Sequence, residues 1–324
     1  MKPALSLICL SLLAGPALAD YPETLSDHIL PGYAAFAQAT AALDQAAQAD
    51  CAPEALRPAW NAAFDAWLGV AHLQFGPVED HGHRLAIAFW PDPKALGWKQ
   101  QKALLTADPA KLEPEAFAEQ SVAARGLFGL ERLLYPTEDL PADPCPLIRA
   151  TAHDLATMAA GVNAAWVGGY GDLLLTAGEP GNTTYLSRPE VRQALFTQLA
   201  AGLEFLSDSR LGRPLGQPAK PAPEKAEARA SGRSLRNVVL ALMAMRQMVE
   251  TLTPDVPRTL AAFDHAIEVA QGLDDPVFAG VTDPAQRLKV EILQQAVQRL
   301  REVVLEELAP ELDVGIGFNA ADGD

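Results

Sequence analysis

The 324-residue chain carries 25 Lys and Arg against 41 Asp and Glu, a formal charge of −16. A balance this acidic repels nucleic acid and anionic lipid surfaces, so no nucleic-acid partner is expected. The length allows one large domain or two smaller ones.

The N-terminus reads as a leader. Lys2 supplies a positive charge, Leu5 to Leu13 form an apolar core, and Ala17-Leu18-Ala19 is a small-x-small cleavage site. Residues 1–19 therefore read as a signal peptide, with the mature chain starting at Asp20. The apolar core is too short to span a bilayer. Cys9 lies inside it, without a full hydrophobic segment ahead, so it does not mark a lipoprotein. No later stretch is long and apolar enough for a membrane helix, and the expected location is the periplasm. Cleavage would remove Lys2 and no acid, making the remainder more negative. It would leave Cys51 and Cys145, each in a Pro-containing connection. An even count in an exported chain predicts a Cys51–Cys145 disulfide tying two loops at one end of a bundle. No Cys-x-x-Cys spacing is present, so the two thiols make a poor zinc site.

Helical periodicity dominates the rest of the chain. Tyr33 to Gln48 carries Ala35, Phe36, Ala39 and Leu43, mostly at helical spacing. Pro53 opens a second helix with Leu56, Trp60, Ala63, Phe64 and Trp67 on one face. Trp90-Pro91-Asp92-Pro93 reads as an ordered loop, because its two prolines prevent a helix. Glu113 to Leu134 and Pro146 to Leu175 read as helices. Beyond the turn-rich Gly178 to Thr184, Arg188 to Ser207 is helical, and Leu211 to Ala226 reads as a long Pro- and Gly-rich loop. Ser234 to Leu252 is apolar enough for a central buried helix, its methionines read as core. Pro257 to Leu273 and Pro284 to Leu308 complete the second half. Runs of alternating β-branched residues are absent. The predicted fold is all-α: two packed helical bundles, over residues 20–185 and 186–324, with no significant β-sheet.

Several segments together resemble the imelysin-like family. They are Trp67, Phe75-Gly76-Pro77 and Phe89-Trp90-Pro91-Asp92 in the first half. In the second they are Arg210-Leu211-Gly212-Arg213-Pro214-Leu215-Gly216, Ser231-Gly232-Arg233-Ser234-Leu235 and the tail Gly317-Phe318-Asn319-Ala320-Ala321-Asp322-Gly323-Asp324. Their order and spacing cover nearly the whole mature chain. The resemblance implies a periplasmic protein of iron or haem acquisition, and a family label of zinc-dependent peptidase.

The family signature is Gly-x-His-x-x-Glu on a helix, where an imidazole and a carboxylate three residues apart share one face. The matching stretch is Gly126-Leu127-Phe128-Gly129-Leu130-Glu131. Phe128 stands at the His position, and a phenyl ring can neither ligate a metal nor shuttle a proton. The expectation is thus a binding or accessory protein without catalysis, its site between the bundles. Zinc peptidase and envelope interaction module remain the alternatives. The ligand would be an iron ion, another divalent metal or a haem-type molecule, and the partner an outer-membrane or periplasmic protein.

Glu131 lies on an otherwise apolar face with Leu127 and Leu134, where an unpaired carboxylate is costly. It reads either as a cation ligand or as the partner of Arg125, Arg84 or Arg213. Gly126, Phe128 and Glu131 form the candidate centre. Arg84, Trp90, Asp92, Arg213, Ser231, Asn319 and Asp322 form the surrounding shell that the resemblance implies. Glu79-Asp80-His81-Gly82-His83 offers His81 and His83 as alternative ligands, in a loop with carboxylates nearby. His265-Ala266-Ile267-Glu268 repeats the His-x-x-Glu spacing without the leading Gly and reads as coincidence. The acidic end, Asn319 to Asp324, offers hard oxygen ligands.

Overall fold

The computed structural model describes residues 20–315. Among them the only β pairing is an isolated bridge between Gln217 and Lys220, and the rest of the regular structure is helical, as the periodicity predicts. Residues 1–19, read as a leader, and the tail residues Asn319, Asp322 and Asp324 lie outside the described residues.

Four helices form the frame of the first half: Leu30–Ala49, Pro53–Leu68, Gly126–Leu134 and Cys145–Ala165, with shorter helices such as Leu96–Leu105 around them. Each of the four packs on two of the others, closing a bundle. Prolines begin several helices, because the first turn needs no amide donor there. Pro53–Leu68 buries Leu56, Trp60, Ala63, Phe64 and Trp67, the face read from spacing. In the second half, Pro257–Gln271 packs between Ser234–Leu252 and Pro284–Val303, and Arg188–Glu204 packs on Pro284–Val303. Asp283 caps that last helix by accepting the amides of Ala285 and Gln286, each at 3.0 Å. The halves are joined by Ser234–Leu252, which packs on Pro53–Leu68 and on the N-terminal turn Tyr21–Thr24. A single continuous apolar core runs through both.

Among the described residues, four π-helical segments interrupt the long helices: Leu25–Ile29, Trp166–Tyr170, Phe205–Leu211 and Val304–Leu308. Each wider turn rotates the side chains beyond it, a device common at functional sites. Phe205–Leu211 matters here, because it carries both Phe205 and Arg210 to the junction of the halves.

Cys51 and Cys145 form a disulfide with Cα atoms 5.4 Å apart, as predicted. The expected continuous helix over Glu113 to Leu134 is instead broken. Pro114–Ala118 and a 3-10 turn at Val122–Ala124 precede Gly126–Leu134. The break has a steric cause. Gly126 has φ +66°, and a Cβ there would lie 2.1 Å from the Ala86 carbonyl oxygen and 2.3 Å from that of Ile87. Only glycine lets the 86–87 backbone pass so close. The Pro- and Gly-rich stretch Leu211 to Ala226 is more ordered than a loop, with short turns at Gly212–Leu215 and Pro223–Lys225.

One local device occurs in both halves. Asp92 accepts the amides of Leu96 (2.9 Å) and Gly97 (2.7 Å). Asp275 accepts those of Ala279 (2.9 Å) and Gly280 (2.8 Å). Each Asp precedes a Pro, and the third residue on is left-handed: Ala95 at φ 49° and Phe278 at φ 55°.

Candidate functional site

The helix Gly126–Leu134 is buried along nearly its whole length. Glu131 is only 6% exposed. Its Oε1 accepts the Ser231 amide at 3.0 Å and the Ser231 hydroxyl at 2.7 Å. Burial pushes its carboxyl above the ordinary value, while the two Ser231 donors and the nearby Arg132 pull the other way. None of the three arginines considered as partners pairs with it. Arg125 forms a buried two-pronged pair with Asp154 (2.9 and 2.7 Å). Arg84 pairs with Glu79. Arg213 lies over the Trp90 ring, 5.8 Å from its centroid, with its Nε buried and unpartnered. Glu131 is thus a hydrogen-bonded bridge between the halves and not half of an ion pair.

One turn earlier, Phe128 packs edge-on against Phe64, with ring centroids 5.4 Å apart and planes at 84°. Both rings wall a cavity of about 120 Å³ at the junction of the halves. The first half supplies Phe64, Trp67, His72, Arg84, Trp90 and Phe128 to it, and the second supplies Gly202, Phe205, Arg210, Glu227, Ala241 and Met245. Trp90 meets Phe205 edge-on at 5.8 Å, so the aromatic wall crosses the junction.

Sequence reasoning missed several polar groups of this region. Glu227 follows directly on the stretch read as a long loop, Leu211 to Ala226, and it is buried. Its Oε2 accepts Arg210 Nε at 2.7 Å and Asn237 Nδ2 at 2.9 Å. Arg233 is 2% exposed. Its guanidinium lies 4.7 Å from the Phe64 ring centroid, and it donates to Asn61 Oδ1 (2.5 Å), Asp65 Oδ1 (2.6 Å) and Asn237 Oδ1 (3.2 Å). It therefore clamps the start of Ser234–Leu252 onto Pro53–Leu68. His72 is buried beside His28, their Nε2 atoms 3.2 Å apart. Burial lowers the His28 pKa to about 4 and holds His72 well below its ordinary value, helped by the charge of Arg210. The available signal was a histidine inside an apolar run, Val70-Ala71-His72-Leu73.

The structure brings Phe128, Arg84 and Trp90 to the cavity and places Arg213 against Trp90, while Gly126 and Glu131, on the helix of Phe128, and Ser231, bonded to Glu131, do not line it. Asp92 is elsewhere in role: both its oxygens are occupied by the turn it builds. His81 and His83 stand together, ring centroids 5.7 Å apart, with His81 at φ 54° on the surface. Neither lines the cavity. His265 and Glu268 are both exposed on Pro257–Gln271.

A resident metal held by this motif does not fit these residues. Phe128 offers hydrocarbon, and Glu131 Oε1 already takes two hydrogen bonds. Among the described residues, no group of three or more His, Cys, Asp or Glu side chains converges on one point. A stable protein-held transition-metal site needs about three or four such donors.

The imelysin family model matches residues 29–304. Iron-regulated protein A of Synechococcus elongatus is 23% identical over 312 residues, covering 87% of this chain and 83% of its own length. The crystal structure of an imelysin-like protein from Psychrobacter arcticum superposes with a TM-score of 0.77 at 20% identity, over 93% of this chain and 100% of that one. A second solved protein, from Parabacteroides distasonis, gives 0.67 at 14% identity, over 88% and 93%. The fold is shared across these proteins, and with the family model spanning most of its length, this chain belongs to the imelysin family.

Proposed function

We propose that this chain is an exported, non-catalytic binding component of bacterial iron uptake that takes its ligand into the cavity between its two halves. One observation carries the reading. The cavity is walled by side chains of both halves, and Phe128 occupies its wall where the family motif carries an imidazole. Iron enters through the relative named iron-regulated protein A. Export rests on the leader-like residues 1–19 and is supported by the disulfide, which persists in oxidising compartments. Among the described residues no helix is long and apolar enough to cross a membrane.

The space limits the cargo. A cavity of about 120 Å³ is comparable to one that holds a single benzene (roughly 150 Å³). A haem has several times as many atoms and does not fit inside. The ligand taken up there is a small molecule, or an iron ion arriving with small ligands of its own. The peptidase alternative asks for a metal with an open coordination position, and the donor set around Phe128 and Glu131 does not favour it.

The test is calorimetric titration of the mature protein with Fe(III) carried by acetohydroxamate, a small chelator without a carboxylate, beside Ala241→Leu, which fills the cavity from Ser234–Leu252. Saturable binding lost in Ala241→Leu is expected. Binding that Ala241→Leu leaves undiminished would move the ligand site away from the cavity.

A further inference from the structure

The cavity holds more unspent hydrogen-bonding capacity than its aromatic walls suggest. Arg210 gives its Nε to Glu227, and Arg84 gives its Nε to Glu79. Among the described residues, the terminal Nη nitrogens of both arginines meet no protein acceptor, and both residues line the cavity. Each carboxylate therefore anchors its guanidinium by the Nε side and leaves the outer donors available. Arg210 is further fixed by the Phe205 ring, 5.3 Å from its guanidinium carbon. Arginines held in place by protein carboxylates lose little freedom when they receive a second acceptor.

A third polar group lines the same space. His72 is 6% exposed and lines the cavity. Its Nε2 faces His28 Nε2, which leaves Nδ1 buried with no partner at all. A buried, unpaired ring nitrogen carries a desolvation cost that a ligand atom would relieve. One proton is shared at the Nε2–Nε2 contact, so His72 Nδ1 is a donor when His28 supplies that proton and an acceptor when His72 does. The rest of the lining is apolar: Phe64, Trp67, Phe128, Ala241 and Met245.

We infer that the cavity binds a small carboxylate, its oxygens taken by the free guanidinium ends of Arg84 and Arg210, and its short or flat apolar body lying against Phe64 and Phe128. The planar fork of arginine matches the planar carboxylate. A phosphate could take the same arginine donors but would leave the aromatic wall without an apolar partner. This inference rests on the cavity being the ligand site and names the ligand's chemical class. It also gives iron a route that needs no protein donor, as cargo carried in on a carboxylate chelator.

The experiment titrates the mature protein with sodium benzoate, and separately with acetate, benzamide and inorganic phosphate, by calorimetry. Wild type, Arg84→Gln and Ala241→Leu are compared. Arg84 is partly exposed and its pair is on the surface side, so Arg84→Gln should leave the melting temperature unchanged. Losing one charge-assisted hydrogen bond corresponds to roughly tenfold or more in affinity. Benzoate should thus bind wild type about tenfold more tightly than Arg84→Gln, bind more tightly than benzamide, which has its shape without its charge, and not bind Ala241→Leu. Benzamide binding as tightly as benzoate, phosphate binding more tightly, no effect of Arg84→Gln, or no binding of either carboxylate would each overturn the inference. Cavity-dependent iron binding could survive any of those results, so the failure of the ligand class is separable from the failure of the site.

Discussion

Glu131, from the first half of the chain, is held by Ser231 from the second through the amide at 3.0 Å and the hydroxyl at 2.7 Å. The bond crosses a hundred residues of sequence and joins the helix Gly126–Leu134 to the turn that starts Ser234–Leu252. Because burial raises the Glu131 carboxyl above its ordinary 4.5, its contribution to stability is fullest below that value and is lost as pH rises through the raised one. Glu131→Gln can still accept both Ser231 donors and has no proton to lose. Denaturation midpoints measured from pH 4 to 8 should show the gap between variant and wild type shifting in favour of Glu131→Gln as pH rises. A gap independent of pH would contradict the burial account. Ser231→Ala should cost about 1–3 kcal/mol at neutral pH, because it strips one donor from a buried carboxylate.

The imidazoles of His28 and His72 carry the opposite sign. Both are held neutral by burial, His28 down to about 4. An unfolded chain protonates them near 6.5, so stability present above 6.5 is lost as pH falls toward about 4. In the double variant His28→Gln, His72→Gln, the fall in urea midpoint over that window should be shallower than in wild type. Equal slopes would mean that the pair takes up protons in the folded state.

Arg233 holds the two halves together from a position with almost no water contact. Its guanidinium serves Asp65, Asn61 and Asn237 at once. Breaking one partner of such a buried pair costs about 3–5 kcal/mol. Arg233→Ala should lose about that much in chemical unfolding, and the exposed Arg236→Ala, which also touches Asp65, about 1 kcal/mol or less. Similar losses for the two would show that burial is not what gives Arg233 its weight.

The Cys51–Cys145 bridge closes a loop of 94 residues. In the chain-entropy view a loop of that size restricts the unfolded state by about 4–5 kcal/mol. Reduction, or Cys51→Ser with Cys145→Ser, should lower unfolding free energy by an amount of that order without changing the helical circular dichroism of the folded form. No change in stability would mean that the oxidised fold is strained enough to cancel the gain.

The helices are legible in the sequence because burial imposes a period that spacing reveals. The face of Pro53–Leu68 can be read residue by residue, and so can the disulfide, from two cysteines in Pro-containing connections. The break before Gly126 cannot, because it depends on the 86–87 backbone passing against that glycine. Asp92 enters the candidate shell through the resemblance of Phe89-Trp90-Pro91-Asp92 to the family. Its oxygens are spent on the amides of its own turn, as are those of Asp275. His72, Arg210 and Glu227 are illegible for a different reason. Their meaning comes from partners 44, 17 and 10 residues away, through His28, through each other and through Asn237. No local spacing encodes such meetings.

In the proposed function, ligand enters between the halves at Phe128, His72 and Arg210. The direct test is hydrogen–deuterium exchange of the chain from Asp20 onward, with and without saturating Fe(III) acetohydroxamate. Slower exchange is expected in peptides covering 64–74, 84–90, 202–210 and 227–245, from both halves at once, with the His81–His83 surface turn and the helix carrying His265 unchanged. Protection confined to one half, or centred on His81 and His83, would contradict it.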